Sequence, residues 1–347
     1  MGLSKNEYDL LEQLISNLDG AQKKSIASLL NTRKRKTKIT KTKITKIYNS
    51  TKTTKECPHC HSKHIIKCGK SSNKQKYYCK ECNKYFVPTE NTLLFNTKKD
   101  ISIWTTYMNC MLDKKSIREC AEICNISIKT SFNWRHKVLD VLSNMMNDVS
   151  LNDIIESDET FTAVSYKGNH TKSKTFIMPR KSHKRGGDIH IRGLSREQVR
   201  IFCSLNLNNL SYGKVSNLGK PNWKSIYNVI KDNIEKGSIF VTDDFSGYDK
   251  VCDKLDLDHI AIKRGTYTNG TFNIQKINSY HTYFKDLINN RFRGVATKYL
   301  NNYIVYYNFV NISKSDRNKK ILDLQDYVFK TNCKDLIKGN MRAAIPA

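Results

Sequence analysis

The chain has 347 residues, with 60 Lys or Arg against 32 Asp or Glu and a formal charge of +28. That length exceeds one ordinary domain, so roughly two to four modules are expected. The charge excludes a chain tuned merely for solubility and calls for a polyanionic partner, because Lys and Arg gain by displacing counterions condensed on phosphate. No apolar run approaches the roughly 20 residues that cross a bilayer, so no membrane partner is expected. The 11 cysteines are odd in number and the start, Met1-Gly-Leu-Ser-Lys-Asn-Glu-Tyr-Asp9, is polar. A disulfide scaffold is therefore not expected, and the chain reads as a protein of the reducing cytoplasm, close to the nucleoid.

Residues 1–32 place Tyr8, Leu11, Leu14, Ile15, Leu18, Ile26, Leu29 and Leu30 at helical spacing, with Gly20 as an interruption. Residues 33–55 form a basic linker: Arg33-Lys-Arg-Lys36 precedes two copies of Thr-Lys-Ile-Thr-Lys, at 37–41 and 42–46, and no acid occurs between Gln22 and Lys55. Such a run cannot bury a core and reads as an arm lying along phosphates, or as a plain solvated connection.

Residues 56–90 hold Cys57-Pro-His-Cys60 and Cys79-Lys-Glu-Cys82, two Cys-x-x-Cys pairs separated by 18 residues. This is zinc-ribbon spacing: each pair puts two sulfurs on one tight turn, and two facing turns complete a tetrahedron. Lys76-Tyr-Tyr78 and Tyr85-Phe-Val87 alternate as short strands should. One Zn²⁺ is expected, with a structural role, since four thiolates leave no open position for chemistry. Lys63, Lys67, Lys70, Lys74 and Lys76 would give this module a basic face.

Residues 98–145 are helical. Ser116 with Glu119 three residues on is a capping box, Asn125-Ile126 makes a turn, and Ser127 caps a second helix running from Ile128 to Leu142. That is helix-turn-helix spacing, and Lys129, Thr130, Ser131, Asn133 and Arg135 fall where a recognition helix meets base edges.

From about residue 150, short apolar strands alternate with helices, giving an α/β domain over 150–312 and a tail over 313–347. Strands are expected at 153–165, 173–179, 198–206, 238–242 and 258–263, and helices at 222–236, 277–290 and 295–311. Asp158, inside the β-leaning run Glu156-Ser-Asp158-Glu159-Thr, would be costly to bury without a partner. Asp243 ends the strand Ser238-Ile-Phe-Val-Thr-Asp243. Two carboxylates at neighbouring strand ends can share Mg²⁺ ions, which take oxygen ligands and keep positions open for phosphate. Asn278, His281 and Lys285, spaced i, i+3 and i+7, share a helix face. His281 through its imidazole or Asn278 through its carbonyl would complete the metal site, and Lys285 would bind phosphate.

Taken together these strings resemble the bacterial insertion-sequence transposases of the zinc-ribbon group. The likeness runs from Cys57 to about Tyr307 and rests on the cysteine pairs, Glu-Ser-Asp158-Glu-Thr-Phe and Pro179-Arg-Lys-Ser-His-Lys-Arg-Gly-Gly187. It continues in Arg192-Gly-Leu-Ser195, Thr-Asp243, Asn-Ser-Tyr-His281-Thr-Tyr-Phe-Lys285 and Arg293-Gly-Val-Ala-Thr-Lys-Tyr-Leu300. It implies a multidomain α+β chain: zinc ribbon, helix-turn-helix, then an RNase H-like (integrase-type) catalytic domain of the DDE type. Asp158 and Asp243 would be the two catalytic acids and His281 the third ligand, with Lys285 behind it and Asn278 as the alternative. The implied cofactors are one structural Zn²⁺ and two catalytic Mg²⁺ or Mn²⁺ ions; an imidazole in place of a third carboxylate favours Mn²⁺.

The implied partner is double-stranded DNA, both the inverted-repeat ends of the element and the target, held by a homodimer or larger synaptic complex. Arg180, Lys181, Lys184 and Arg185, with Arg291, Arg293 and Lys298, are expected to guide it. The competing expectation is a zinc-dependent DNA-binding protein without catalysis, for which the missing third carboxylate speaks.

Overall fold

The computed structural model describes residues 54–71, 74–95, 97–146, 149–168, 177, 195–266, 268–311 and 317–330. The expected N-terminal helices, nearly all of the basic linker and almost all of the 173–179 strand lie outside these residues. The chain divides into two compact units, Met1–Pro88 and Thr89–Ala347.

In the first unit, β1 (Ile65–Ser71), β2 (Lys74–Cys79) and β3 (Tyr85–Phe86) form an antiparallel sheet in that order. Tyr77 stacks on Phe86 with ring centroids 5.7 Å apart, and these two with Ile65 pack around Cys57 and Cys79. So small an apolar cluster falls short of what a module of this size needs to hold itself together.

The second unit opens with α1 (Ile101–Leu112), α2 (Ile117–Ile123) and α3 (Ile128–Met146). The capping box forms as its sequence requires: Ser116 Oγ accepts from Glu119 N at 3.3 Å, and Glu119 Oε2 accepts from Ser116 N at 2.7 Å. Asn125 takes the left-handed conformation at φ 48° in the turn, and Ser127 Oγ accepts from Thr130 N at 3.1 Å to start α3.

A five-stranded sheet follows, built from β4 (Ile154–Ala163), β5 (Gln198–Asn206), β6 (Ser211–Leu218), β7 (Ile239–Asp243) and β8 (Asp258–Ile262), in the order β6-β5-β4-β7-β8. β4, β5 and β6 are antiparallel neighbours, whereas β7 runs parallel to both β4 and β8. Helices cover both faces, so the strands carry apolar residues on both sides. On one face Ile155, Phe202 and Phe240 pack against Ile226 and Ile230 of α4 (Trp223–Ile230) and Tyr248 and Val251 of α5 (Gly247–Leu255). The other face carries α6 (Gln275–Asp286) and α7 (Leu300–Asn311), and α8 (Arg317–Lys330) follows and packs against α1 and α3.

Four elements were not expected from the sequence: β1, β6, α5 and α8, the last lying in the segment expected as a tail. β6 holds polar residues in Ser211-Tyr-Gly-Lys-Val-Ser-Asn-Leu218 and is a strand because β5 supplies its ladder. α5 is short and cut by Asp and Lys. The helix expected at 277–290 starts two residues earlier and passes into a π turn, Leu287–Arg291.

The helical segment and the sheet share one core. α3 lies along α7, where Asn302 Nδ2 donates to Asp140 at 2.6 Å, and α1 meets α7 where Tyr306 Oη donates to the Met111 carbonyl.

Candidate functional site

The Sγ atoms of Cys57, Cys60, Cys79 and Cys82 all lie within 4.8 Å of one another. Cys57 and Cys82 are 3.6 Å apart and Cys60 and Cys79 3.5 Å, far beyond a disulfide and close to the about 3.8 Å edge of a tetrahedron with 2.3 Å metal–sulfur bonds. The residue after each pair, His61 and Asn83, sits in the left-handed region at φ 59° and 55°, which turns the chain back over its two sulfurs. Backbone N–H groups, that of Cys82 foremost, lower the Cys79 thiol to about 6 and favour its thiolate. These four residues fit one tetrahedral ion.

Asp158 and Asp243 meet where β4 and β7 end their pairing. The strands are in register from Ile154↔Ile239 to Glu156↔Val241, and continuing two residues further sets Asp158 level with Asp243 on the same face. That face is the one covered by α6, which delivers His281: its Nδ1 stands 3.7 Å from Asp158 Oδ2. Burial, with the neighbouring Asp243 charge adding to it, lifts the Asp158 carboxyl to about 7. Asp243 is also raised, by burial first. His281 is depressed to about 4, by burial and then by Lys285, so its ring is neutral at pH 7. Asp243 Oδ1 and His281 Nε2 are buried with no hydrogen-bond partner. Two crowded carboxylates and a neutral imidazole with lone pairs unclaimed are the donor set that a divalent cation satisfies. Asn278 is exposed on the first turn of α6, and Lys285 is half-buried one turn beyond His281.

Three supports of this site were missed in the sequence. Glu156, buried two residues before Asp158, accepts the Ile277 N–H at 3.1 Å and pins the start of α6 to β4. On the opposite face, Glu159 pairs with Arg200 at 3.1 Å and accepts from Tyr248 Oη. Arg200 is the cation set against Asp158, Glu159 and Asp243 together, and its direct contact is already given to Glu159. Behind Asp243, Thr242 Oγ1 donates to the Asp243 carbonyl at 2.8 Å and lies 2.8 Å from His259 Nε2, whose Nδ1 meets Asp249 at 2.8 Å. The signal available for Glu156 and Glu159 was that three acids crowd one strand and cannot all face solvent.

The residues expected on DNA divide. Lys129 and Asn133 are exposed on α3 and Thr130 is half-exposed. Ser131 and Arg135 are corrections, since both turn inward. Ser131 Oγ donates to the Ile117 carbonyl at 2.7 Å, and Arg135 is fully buried, donating to the Lys115 carbonyl at 2.6 Å with its guanidinium over the Phe292 and Tyr306 rings. Ser131 faces α1 and α2, where Tyr107 Oη also meets it, and Arg135 lies between α2 and α7, which a short motif does not reveal. Arg291 and Arg293 are exposed, and Lys298 lies over Tyr299. Arg180, Lys181, Lys184 and Arg185 lie outside the described residues.

The second unit is thus a mixed α/β unit with two carboxylates at the ends of neighbouring parallel strands. Residues 150–309 match the model of the ISXO2-like transposase domain. The resemblance to insertion-sequence transposases is thus borne out over this segment, and the cysteine cluster accords with the zinc-ribbon group. No curated protein matches the chain. Among solved structures, one described as a crystal structure of a pre-cleavage Mos1 transpososome is similar at 9% identity, covering 64% of this chain and 74% of that one, with a TM-score of 0.26. A likeness that low bears no weight here.

Proposed function

We propose that the chain is a DNA transposase that binds the ends of its own element, hydrolyses a phosphodiester to expose a 3′-hydroxyl and directs that hydroxyl at target DNA. The observation that carries this reading is His281 at 3.7 Å from Asp158, with Asp243 adding its charge and with Asp243 Oδ1 and His281 Nε2 buried and unpartnered, within the segment that matches the transposase model. The sheet, three antiparallel strands followed by two parallel ones, supports an RNase H-like catalytic domain.

Asp158, Asp243 and His281 would hold two Mg²⁺ or Mn²⁺ ions, which supply activation of the attacking hydroxyl and charge relief at the leaving oxygen. Glu156 fixes the helix that carries His281, and Arg200 pairs with Glu159, the residue after Asp158. Lys285 would take a phosphate oxygen, and Lys129, Asn133, Arg291 and Arg293 would hold the duplex. Both chemical steps are in-line displacements, so one site serves both and no protein–DNA bond is formed. The four cysteines would hold one structural Zn²⁺. Joining two ends requires at least two copies of the chain.

The test is nicking of labelled DNA bearing the gene's own flanks, with Mg²⁺ or Mn²⁺, beside Asp158→Asn. Nicks at the element ends that vanish in the variant support the reading. Tight binding of those ends with no cutting under either metal overturns it in favour of a DNA-binding protein without catalysis.

A further inference from the structure

The outward face of α3 is fixed by what its inward face holds. Ser131 and Arg135 turn to α1, α2 and α7, and Trp134, Val138 and Leu139 are buried beside them. That leaves Lys129, Asn133 and Lys137, spaced i, i+4 and i+8, as one exposed stripe, with Thr130 half-exposed at its side. The Thr130 hydroxyl is already engaged, 2.9 Å from Ser127 Oγ. The first acid along α3 is Asp140, to which Asn302 donates. The tip of the stripe is apolar. Ile128, the first residue of α3, is 57% exposed, and Ile123, the last of α2, is 52% exposed on the other side of the turn. A scattered surface aliphatic is ordinary, but two that flank one turn, at the head of a polar and basic stripe, are not. Local preference does not call for Ile128 either, since a first helical turn favours Pro or an acid and β-branching lowers helix propensity.

The first turn of the second helix in such a pair is the part that meets base edges in the major groove. The one apolar group that any base pair offers there is the thymine 5-methyl group. We propose that Ile128 reads a thymine methyl group in the end of the element. Asn133, on the stripe behind it, pairs through its amide with the N6 and N7 edge of an adenine, and Lys129 and Lys137 meet the flanking phosphates. The proposal rests on the transposase reading and adds which group of the DNA is recognised and by which side chain.

The test removes the methyl group from the DNA rather than the side chain alone. The full chain, without divalent cation, is titrated with duplexes bearing the gene's own flanks, in which each thymidine in turn is replaced by deoxyuridine. One replacement is expected to weaken wild-type binding about fourfold, the effect of one methyl group taken out of water. Ile128→Ala is expected to bind the thymidine and deoxyuridine duplexes alike, whereas Ile128→Val, which keeps a branched apolar side chain, retains most of the penalty. A wild-type chain indifferent to every replacement, or a penalty that survives unchanged in Ile128→Ala, overturns the proposal. Nicking assays on the same preparations separate the two readings. Cutting at the flanks with no position sensitive to deoxyuridine defeats only the thymine contact; an Ile128-dependent penalty without cutting under any metal defeats only the transposase.

Discussion

Asp158 and His281 stand 3.7 Å apart, yet their ionisations act on the folded state in opposite senses. Burial raises Asp158 from an ordinary 3.8 to about 7, so its contribution to stability is full below about pH 4 and is lost as pH rises through about 7. His281 falls from 6.5 to about 4, so its contribution is present above about pH 6.5 and is lost as pH drops through about 4. Asp158→Asn removes the first of these. The metal-free variant is expected to be more stable than wild type at pH 7 by about 2 kcal/mol, with the gap closing towards pH 4, in urea unfolding across pH. A variant no more stable than wild type at pH 7 would mean that Asp158 bears no such strain. Arg200→Met has the contrary effect, because it leaves Glu159 buried without its cation; a loss of about 3–5 kcal/mol is expected by the same method. Asp158, Asp243 and His281 were legible in the sequence because charged or polar groups at strand ends and on one helix face are conspicuous. Glu156, Arg200 and His259 were not, since what gives each its meaning is a partner at least ten residues away.

At the scale of elements, α6 is the piece that would decide the third ligand of the proposed site. It brings His281, not Asn278, against Asp158, so His281→Ala is expected to abolish cutting and weaken Mn²⁺ binding about 10- to 100-fold, while Asn278→Ala leaves both near wild type. Calorimetric Mn²⁺ titration measures the second effect apart from catalysis. α3 was legible as an element and only partly as a surface. The caps, Ser116 with Glu119 on α2 and Ser127 on α3, are local and can be read from four residues each, whereas the inward turn of Ser131 depends on α1 and α2 and that of Arg135 on α2 and α7. Lys129→Ala and Asn133→Ala should weaken binding of the element ends. Arg135→Ala should instead lower the melting temperature, because it empties a cage of Phe292, Tyr306 and the Lys115 carbonyl. The β6 strand was missed for a similar reason, its identity coming from β5.

At the scale of the whole molecule, the first unit depends on its sulfurs far more than the second depends on any ion. A strong chelator is expected to unfold the β1–β3 sheet while the helical circular-dichroism signal, dominated by the second unit, persists; simultaneous loss of both would contradict this. Within the second unit, α3 is clamped to α7 by Asn302 on Asp140 and by Arg135 beneath Tyr306, and α1 is tied to α7 by Tyr306 on Met111. α7 in turn lies on the sheet whose β4 carries Asp158. Among the described residues, the helix that would read sequence is joined through α7 to the sheet that carries the carboxylates that would cut. On the transposase reading the second unit would act as a ruler, its two marks held on packed elements. Base pairs inserted between the sequence read and the bond cut would carry the proper bond out of reach, and the cut would fall at the old distance.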